Sequence, residues 1–300
     1  MGKTICMTVK EGSLLVSDGA WGTCLYQLGL KPGECPERWC LERYEEVRGI
    51  AASYIEAGAD MVETNSFGGS SIRLRQFGLD DCATQINEAA VRASREAAGD
   101  KYVIASMGPT GKRLDKKEVS AWELYDSFGE QAAALEKGGA DALCIETMMD
   151  VDEAVIAVRA AKENTSCEVI CSYTFDRTDS GKYSTLTGAT PAEAAQAAIA
   201  AGSDIIGTNC GNGISRMVDI VRELRMACPD KPILVQANAG LPDTVGGKLV
   251  YSETPEYMAS FIPALAEAGA NIIGGCCGTT PAHIAAIKRV VITAVKGCRA

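Results

Sequence analysis

The sequence predicts an α/β protein, a single (β/α)8 barrel of the TIM type spanning residues 1–300. Three observations predict it. Eight short apolar runs alternate with Ala-rich or amphipathic stretches, the pattern of repeated βα units. A glycine-led segment recurs at every second apolar run. No Pro/Gly-rich linker or charge run divides the chain, and its length suits eight such units. An open doubly wound sheet is the competing architecture. It is disfavoured because Asp18-Gly19-Ala20-Trp21-Gly22, after the first run, lacks the third glycine and the helix context of a dinucleotide fingerprint.

The elements follow in order. Leu14–Ser17 is the first predicted strand. Asp60–Thr64 is the second, followed by the helical stretch Asp81–Ala98. Tyr102–Ser106 precedes the helix Trp122–Lys137, and Ala142–Glu146 precedes Asp152–Lys162. Glu168–Tyr173 leads to Pro191–Ala200, and Asp204–Thr208 to Ile214–Ala227. Ile233–Gln236 leads to Pro255–Ala268, and Ile272–Gly275 to Pro281–Val295. Thr190-Pro191, Thr254-Pro255 and Thr280-Pro281 each set an N-cap before a proline at the first helical position.

The recurring segments are Gly58–Asn65, Gly139–Glu146, Gly202–Asn209 and Gly269–Cys276. Each begins with a glycine suited to end a helix, continues through a short polar turn and becomes an apolar strand. Seven residues after each glycine stand Asn65, Glu146, Asn209 and Cys276, and one further on Ser66, Thr147, Cys210 and Cys277. One local frame thus delivers polar or reactive side chains to one level.

Composition narrows the function. There are 29 Lys and Arg against 39 Asp and Glu, a net charge of -10. Such a surface repels phosphate backbones, which argues against nucleic acid and against a membrane held through a basic patch. No apolar run approaches the roughly 20 residues that span a bilayer. The N-terminus has no uninterrupted apolar stretch of a signal peptide, Cys6 replaces the Ser or Thr of a myristoylation motif at Gly2, and Cys298 is one place late for prenylation. A cytoplasmic protein is expected. Its 13 cysteines are odd in number, so they cannot all pair within the chain, and they read as small hydrophobes, metal ligands or nucleophiles. With His283 the only histidine, sites built from several histidines are excluded.

Active sites of such barrels lie where strands end. There the sequence sets Asp18, Asn65, Ser106, Glu146, Cys210, Asn238, Cys276 and Cys277. Zinc favours thiolates, and three cysteines with one exchangeable position describe a catalytic rather than a closed structural centre. A tris-thiolate zinc is a poor Lewis acid toward water but holds a further thiol as a reactive thiolate, which points to alkyl transfer to sulfur. Buried strand cysteines are usually packing, the reading given to Cys144, Cys167, Cys171 and Cys228. Adjacent strand side chains point opposite ways, so Cys276 and Cys277 can share a site only if the strand ends there; a vicinal disulfide is the alternative. Asp18 and Glu146 read either as structural carboxylates or as acceptors for the amine of an amino-acid substrate. Asn65, Ser106 and Asn238 read evenly as contacts or loop-shaping residues. His283 reads as packing or support rather than as a ligand.

The segment Gly274-Gly275-Cys276-Cys277-Gly278-Thr279-Thr280-Pro281, with Asn209-Cys210, resembles the zinc motifs of homocysteine S-methyltransferases. Asp18–Thr23, Glu63–Gly69 and Gly108–Lys112 extend the resemblance from about Leu14 to Val291. It is nearest to the homocysteine-binding module of cobalamin-dependent methionine synthase. The resemblance implies zinc on Cys210, Cys276 and Cys277, with homocysteine sulfur at the open position. It implies that Asp18 and Glu146 hold the substrate's amino group, that backbone amides near Gly19 and Ala20 hold its carboxylate, and that Asn238 is the fourth ligand when substrate is absent. The product would be methionine, and the methyl donor methylcobalamin, a corrinoid protein or a small molecule such as betaine or S-methylmethionine. No Asp-x-His-x-x-Gly cobalamin motif occurs in the chain. Two other classes compete. A Schiff-base lyase needs a strand-end lysine, and Lys101, Lys112, Lys182 and Lys248 lie elsewhere. A homocysteine-binding subunit inactive on its own differs only in needing a partner.

Overall fold

In the computed structural model, which describes residues 3–245 and 248–297, all eight predicted runs enter one parallel sheet. The strands are β1 (Leu15–Val16), β2 (Met61–Val62), β3 (Tyr102–Met107), β4 (Ala142–Met148), β5 (Glu168–Tyr173), β6 (Ile205–Gly213), β7 (Ile233–Asn238) and β8 (Ile272–Gly275). They run β1-β8-β7-β6-β5-β4-β3-β2 around the sheet. β1 and β2 share no ladder. Their seam is bridged by Asp60, whose N–H donates to Val16 O at 2.7 Å and whose carboxylate accepts from Val16 N at 2.9 Å, so the barrel is nearly closed. Gly2 and Cys298, and Gly246 and Gly247 in the loop after β7, lie outside the described residues.

The surrounding helices are α1 (Tyr44–Glu56), α2 (Ala83–Ala98), α3 (Ala121–Gly138), α4 (Val151–Asn164), α5 (Pro191–Ala201), α6 (Ile214–Ala227), α7 (Pro255–Ser260, then Ile262–Ala268) and α8 (Pro281–Gly297). Thr190 closes a full capping box with Glu193, and the Thr254 side chain accepts from Tyr257 N, as their sequence signals require. α7 breaks at Phe261 because Pro263 has no N–H to continue the ladder and sits in the first turn of the second piece. The long loops after β5 and β7 carry small hairpins, Asp176–Arg177 with Tyr183–Ser184 and Asp243–Val245 with Lys248–Val250.

The recurring segment is a repeated joint. Gly58, Gly139, Gly202 and Gly269 take φ of +101°, +102°, +112° and +109°, the left-handed conformation that ends a helix. Two residues on, Asp60, Asp141, Asp204 and Asn271 each clasp one residue of the preceding strand, namely Val16, Val103, Val169 and Ile233. The backbone N–H gives to that residue's carbonyl while the side-chain oxygen takes from its N–H. A cation from the helix next to that strand completes each joint: Arg95, Lys162 and Arg225 from the helix leading into it, and at the seam Lys288 from the last helix, α8. The barrel is thus built of four like quarters.

Alternate strand residues face inward. At the lower end these are apolar: Leu15, Met61, Ile104, Ala142, Cys144, Ile170, Ile205, Leu234 and Ile272 form one buried cluster. The short helix Ile5–Lys10 closes it from below through Ile5 and Val9, its first amides held by Glu168. One rung higher the interior turns polar, with Glu63, Ser106, Glu146, Ser172, Asn209 and Gln236 all buried. Cys144, Cys167, Cys171 and Cys228 are buried in the apolar clusters, as predicted. All twelve cysteines among the described residues are free thiols. Among the described residues no helix is long and apolar enough to cross a membrane.

Candidate active site

β8 ends at Gly275, and that ending decides how the two neighbouring cysteines point. Cys276 N donates to Ala237 O at 2.7 Å, Ala239 N to Cys277 O at 2.9 Å, and Thr279 folds back with its N–H and hydroxyl on Cys276 O. Gly278 sits at φ +80°, where a Cβ would also run into the Tyr251 ring. The chain therefore turns at once, and both thiols face one way. Cys210 reaches them from β6 by a different device. It is not past the strand's end, as the sequence suggested, but inside a bulge, where β6 shifts register against β7 between Asn209 and Gly213. Cys210 itself has φ +58°, uncommon for a residue with a side chain. Asn209 is anchored there by Thr147 N and Ser172 Oγ, both at 2.8 Å, and Thr147 shares the positive φ. The sulfurs of Cys210, Cys276 and Cys277 all lie within 4.8 Å of one another.

The thiols form one end of a cavity of about 270 Å³. Gly19, Ala20, Asn65, Ser106 and Glu146 line it as well, so the structure brings most predicted residues to one wall. Glu146 receives the Ser106 hydroxyl and, at 3.0 Å, the Asn209 amide, one residue from Cys210. Burial pushes its carboxyl up to about 7, helped by nearby Asp18 and Cys210. Asp18 is fully buried behind the wall, its carboxylate accepting from Glu63 N (2.8 Å), Trp21 Nε1 (2.9 Å) and Ser17 Oγ (3.2 Å). Burial pushes it up to about 6. Asn65 lines the cavity but spends its amide on Pro36 O at 2.7 Å, a loop-shaping contact. Ala20 N is held by Thr279 Oγ1 at 3.0 Å. The helix that Ala20 begins, Trp21–Gln27, has no side-chain cap on its first amides, and Trp21, Gly22 and Thr23 line the cavity too.

Two wall residues were missed by sequence reasoning. Glu63 is held well above the usual carboxylate range by burial, then by Glu146 and Asp18. Gln236 donates to it at 2.8 Å. Both sit at period two above apolar floor residues, Met61 and Leu234, and that alternation was the available signal. Tyr251, at the foot of the rim hairpin, packs its ring against Gly278, next to Cys277. His283 is buried and supports the site from outside the thiol group: its Nδ1 accepts from Thr280 N at 3.1 Å, and Nε2 meets Glu253 O at 3.0 Å.

The charge pattern is one-sided. Among the described residues no Lys, Arg or His lines the cavity, while Glu37, Glu63, Glu146 and three thiols do. Contacts from Cys210 and Cys276 hold Cys277 well below the usual thiol range. The buried Asn238 Oδ1, on the strand between the two cysteine-bearing strands, has no hydrogen-bond partner. Three converging soft donors, an orphaned oxygen and no internal cation fit a thiophilic metal ion.

The description "homocysteine S-methyltransferase" belongs to the family whose model matches residues 15–291. The methionine synthase of Mycobacterium tuberculosis (strain ATCC 25618 / H37Rv) is 32% identical over 311 residues, covering 96% of this chain and 25% of that protein. That of Mycobacterium leprae (strain TN) is 32% identical over 308 residues, covering 95% and 24%. The chain thus spans about a quarter of the length of these curated relatives. Among solved structures, the metallated form of the homocysteine methyltransferase MmuM from Escherichia coli superposes with a TM-score of 0.77 at 23% identity, covering 94% of this chain and 98% of that one. The carboxyl transferase domain of Rhizobium etli pyruvate carboxylase superposes at 0.52 with 19% identity, covering 96% and 49%. These two likenesses establish the barrel fold.

Proposed function

The chain belongs to the homocysteine S-methyltransferase family, and from that premise we propose that it methylates homocysteine to methionine at the thiol cluster. The observation that carries the reading is the lining of one cavity: three thiols converge on it, the buried carboxyls of Glu63 and Glu146 line it with them, and among the described residues no basic side chain does. Such a wall suits a ligand with a sulfur at one end and an ammonium at the other.

In this reading Cys210, Cys276 and Cys277 hold zinc, with Asn238 as the further donor before substrate arrives. When bound, zinc supplies the positive charge that lowers the substrate thiol's pKa. Glu146 holds the ammonium group, with Asp18 behind the wall adding its negative charge, and the uncapped amides that follow Gly19 and Ala20, from Trp21 on, face the carboxylate. Ser106 and Asn209 keep Glu146 oriented. The sulfur lone pair forms the S–CH3 bond as the donor's bond to that methyl breaks, and the thiol proton leaves to solvent. We place the enzyme in the cytoplasm, as one module spanning the chain. The donor is methylcobalamin on a corrinoid protein or module, in keeping with the methionine synthase relatives.

The test is zinc content per chain under reducing conditions with calorimetric titration of homocysteine. One zinc, homocysteine binding and proton release are expected; no zinc, or zinc without binding, refutes the reading. A screen of methylcobalamin, betaine and S-methylmethionine then identifies the donor. A second reading, a homocysteine-binding module that turns over only with a partner, is favoured by the quarter-length coverage of the relatives. Methyl transfer that appears only on adding a corrinoid protein would select it.

A further inference from the structure

Gln236 has no part in the reading above, yet it is the most constrained polar residue of the cavity wall. It faces inward on β7, two residues above Leu234 of the apolar floor, and is 2% exposed. Its Nε2 donates to Glu63 Oε1 at 2.8 Å and to Ser17 Oγ at 3.3 Å, which uses both amide hydrogens. In this orientation the nitrogen faces Glu63 and Ser17 and serves both acceptors at once. The remaining oxygen, Oε1, is buried and has no hydrogen-bond partner. A buried acceptor left alone is costly, and such exceptions call for an explanation. Of the other orphaned buried side-chain atoms among the described residues, those of Gln131 and Tyr173 belong to residues that do not line the cavity, and Asn238 has its own assignment as a metal donor.

A ligand entering the cavity that Gln236 lines can supply the missing donor. The wall beside Gln236 offers Glu63 and Glu146 and no cation, so the favoured donor is a positively charged N–H group. Its distance from the thiols is short. Gln236 pairs in register with Gly274 of β8, two residues, or roughly 7 Å, below Cys276 along the neighbouring strand. A ligand anchored by sulfur needs only a few bonds to reach it. Granted that the cavity takes a thiol-bearing amino acid, we propose that Gln236 is its specificity-determining residue: Oε1 accepts from the ligand's ammonium group, with Glu63 beside it, and selects thiols that carry an α-amino group.

The experiment compares two ligands on the reduced, zinc-loaded chain. Homocysteine carries the amine; 4-mercaptobutanoate is the same thiol acid without it. Calorimetry with wild type and Gln236→Leu should show homocysteine affinity falling tenfold to a hundredfold, with mercaptobutanoate unchanged. Gln236→Met, closer in shape, should repeat the selective loss. So should Glu63→Gln, which keeps the volume while removing the acidic partner. Zinc stoichiometry in each variant checks that the site is intact. Equal losses for both thiols, or no loss for either, overturn the proposal. A wild-type protein that binds neither thiol refutes the underlying reading of the site instead, and is distinguished by failing before any substitution is made.

Discussion

Replacing Glu146 by Gln should remove part of the pH dependence of folding in the metal-free, ligand-free chain. Burial, above all, pushes this carboxyl from its ordinary 4.5 up to about 7, with Asp18 and Cys210 adding to it and the Ser106 hydroxyl opposing it. Below pH 4.5 the group is protonated in both folded and unfolded chains. As pH rises the unfolded chain ionises first, so stability is lost through the window from 4.5 to about 7. At 1.36 kcal/mol per pH unit, that interval amounts to about 3 kcal/mol. Glutamine has no such proton. Urea unfolding of wild type and Glu146→Gln, with chelator and reductant present, should therefore show the variant gaining about 3 kcal/mol on wild type between pH 4.5 and pH 8. Taking the difference matters, because Cys277, held below the usual thiol range mainly by Cys210 and Cys276, pulls stability the opposite way over the same window, and most of that pull is common to both proteins. A difference that stays flat, or that favours wild type as pH rises, would refute the picture of a carboxyl held protonated by burial.

Other perturbations follow from the same geometry. Alanine at Cys210, Cys276 or Cys277 should drop zinc from one per chain toward none and abolish methyl transfer, read by metal analysis and a methionine assay; a fully active triple mutant would sink the assignment. Lys288→Met should cost about 3 kcal/mol, since it strips the partner from a largely buried Asp60 at the β1–β2 seam, with side chains 21% and 19% exposed. Lys162→Met, at the corresponding but more open joint of 33% and 31%, should cost about 1 kcal/mol in the same denaturation experiment. Gly278→Ala should cost about 1–2 kcal/mol for its left-handed backbone alone and should displace Tyr251, seen as a change in tyrosine fluorescence and a weaker hold on zinc.

The eight strands were legible because barrel strands are short, apolar and bounded by turns, and the four echoes were legible because each joint needs the same glycine and the same clasping Asp or Asn. The cysteines were legible for a chemical reason, adjacency at a strand end. What the sequence concealed depends on closure. β1 and β2 shrink to two residues each because their seam is made by Asp60 rather than by a ladder. Cys210 occupies a bulge imposed by the Asn209 hydrogen bonds, and local propensity gives no hint of a positive φ there. Asp18 announced itself at a strand end, but not that it would sit behind the wall on Trp21 and the backbone of Glu63, nor that Glu63 and Gln236 would face the cavity. Which polar residues meet across an interior is decided by barrel shear, and a single strand does not contain that information.

The stopper beneath the barrel has a kinetic consequence. Ile5 and Val9 pack against an unbroken apolar floor, so the lower end of the barrel interior is closed. In the proposed reaction a ligand anchored by sulfur at the thiols would therefore load before the methyl donor and leave after it, an order that product-inhibition kinetics checks.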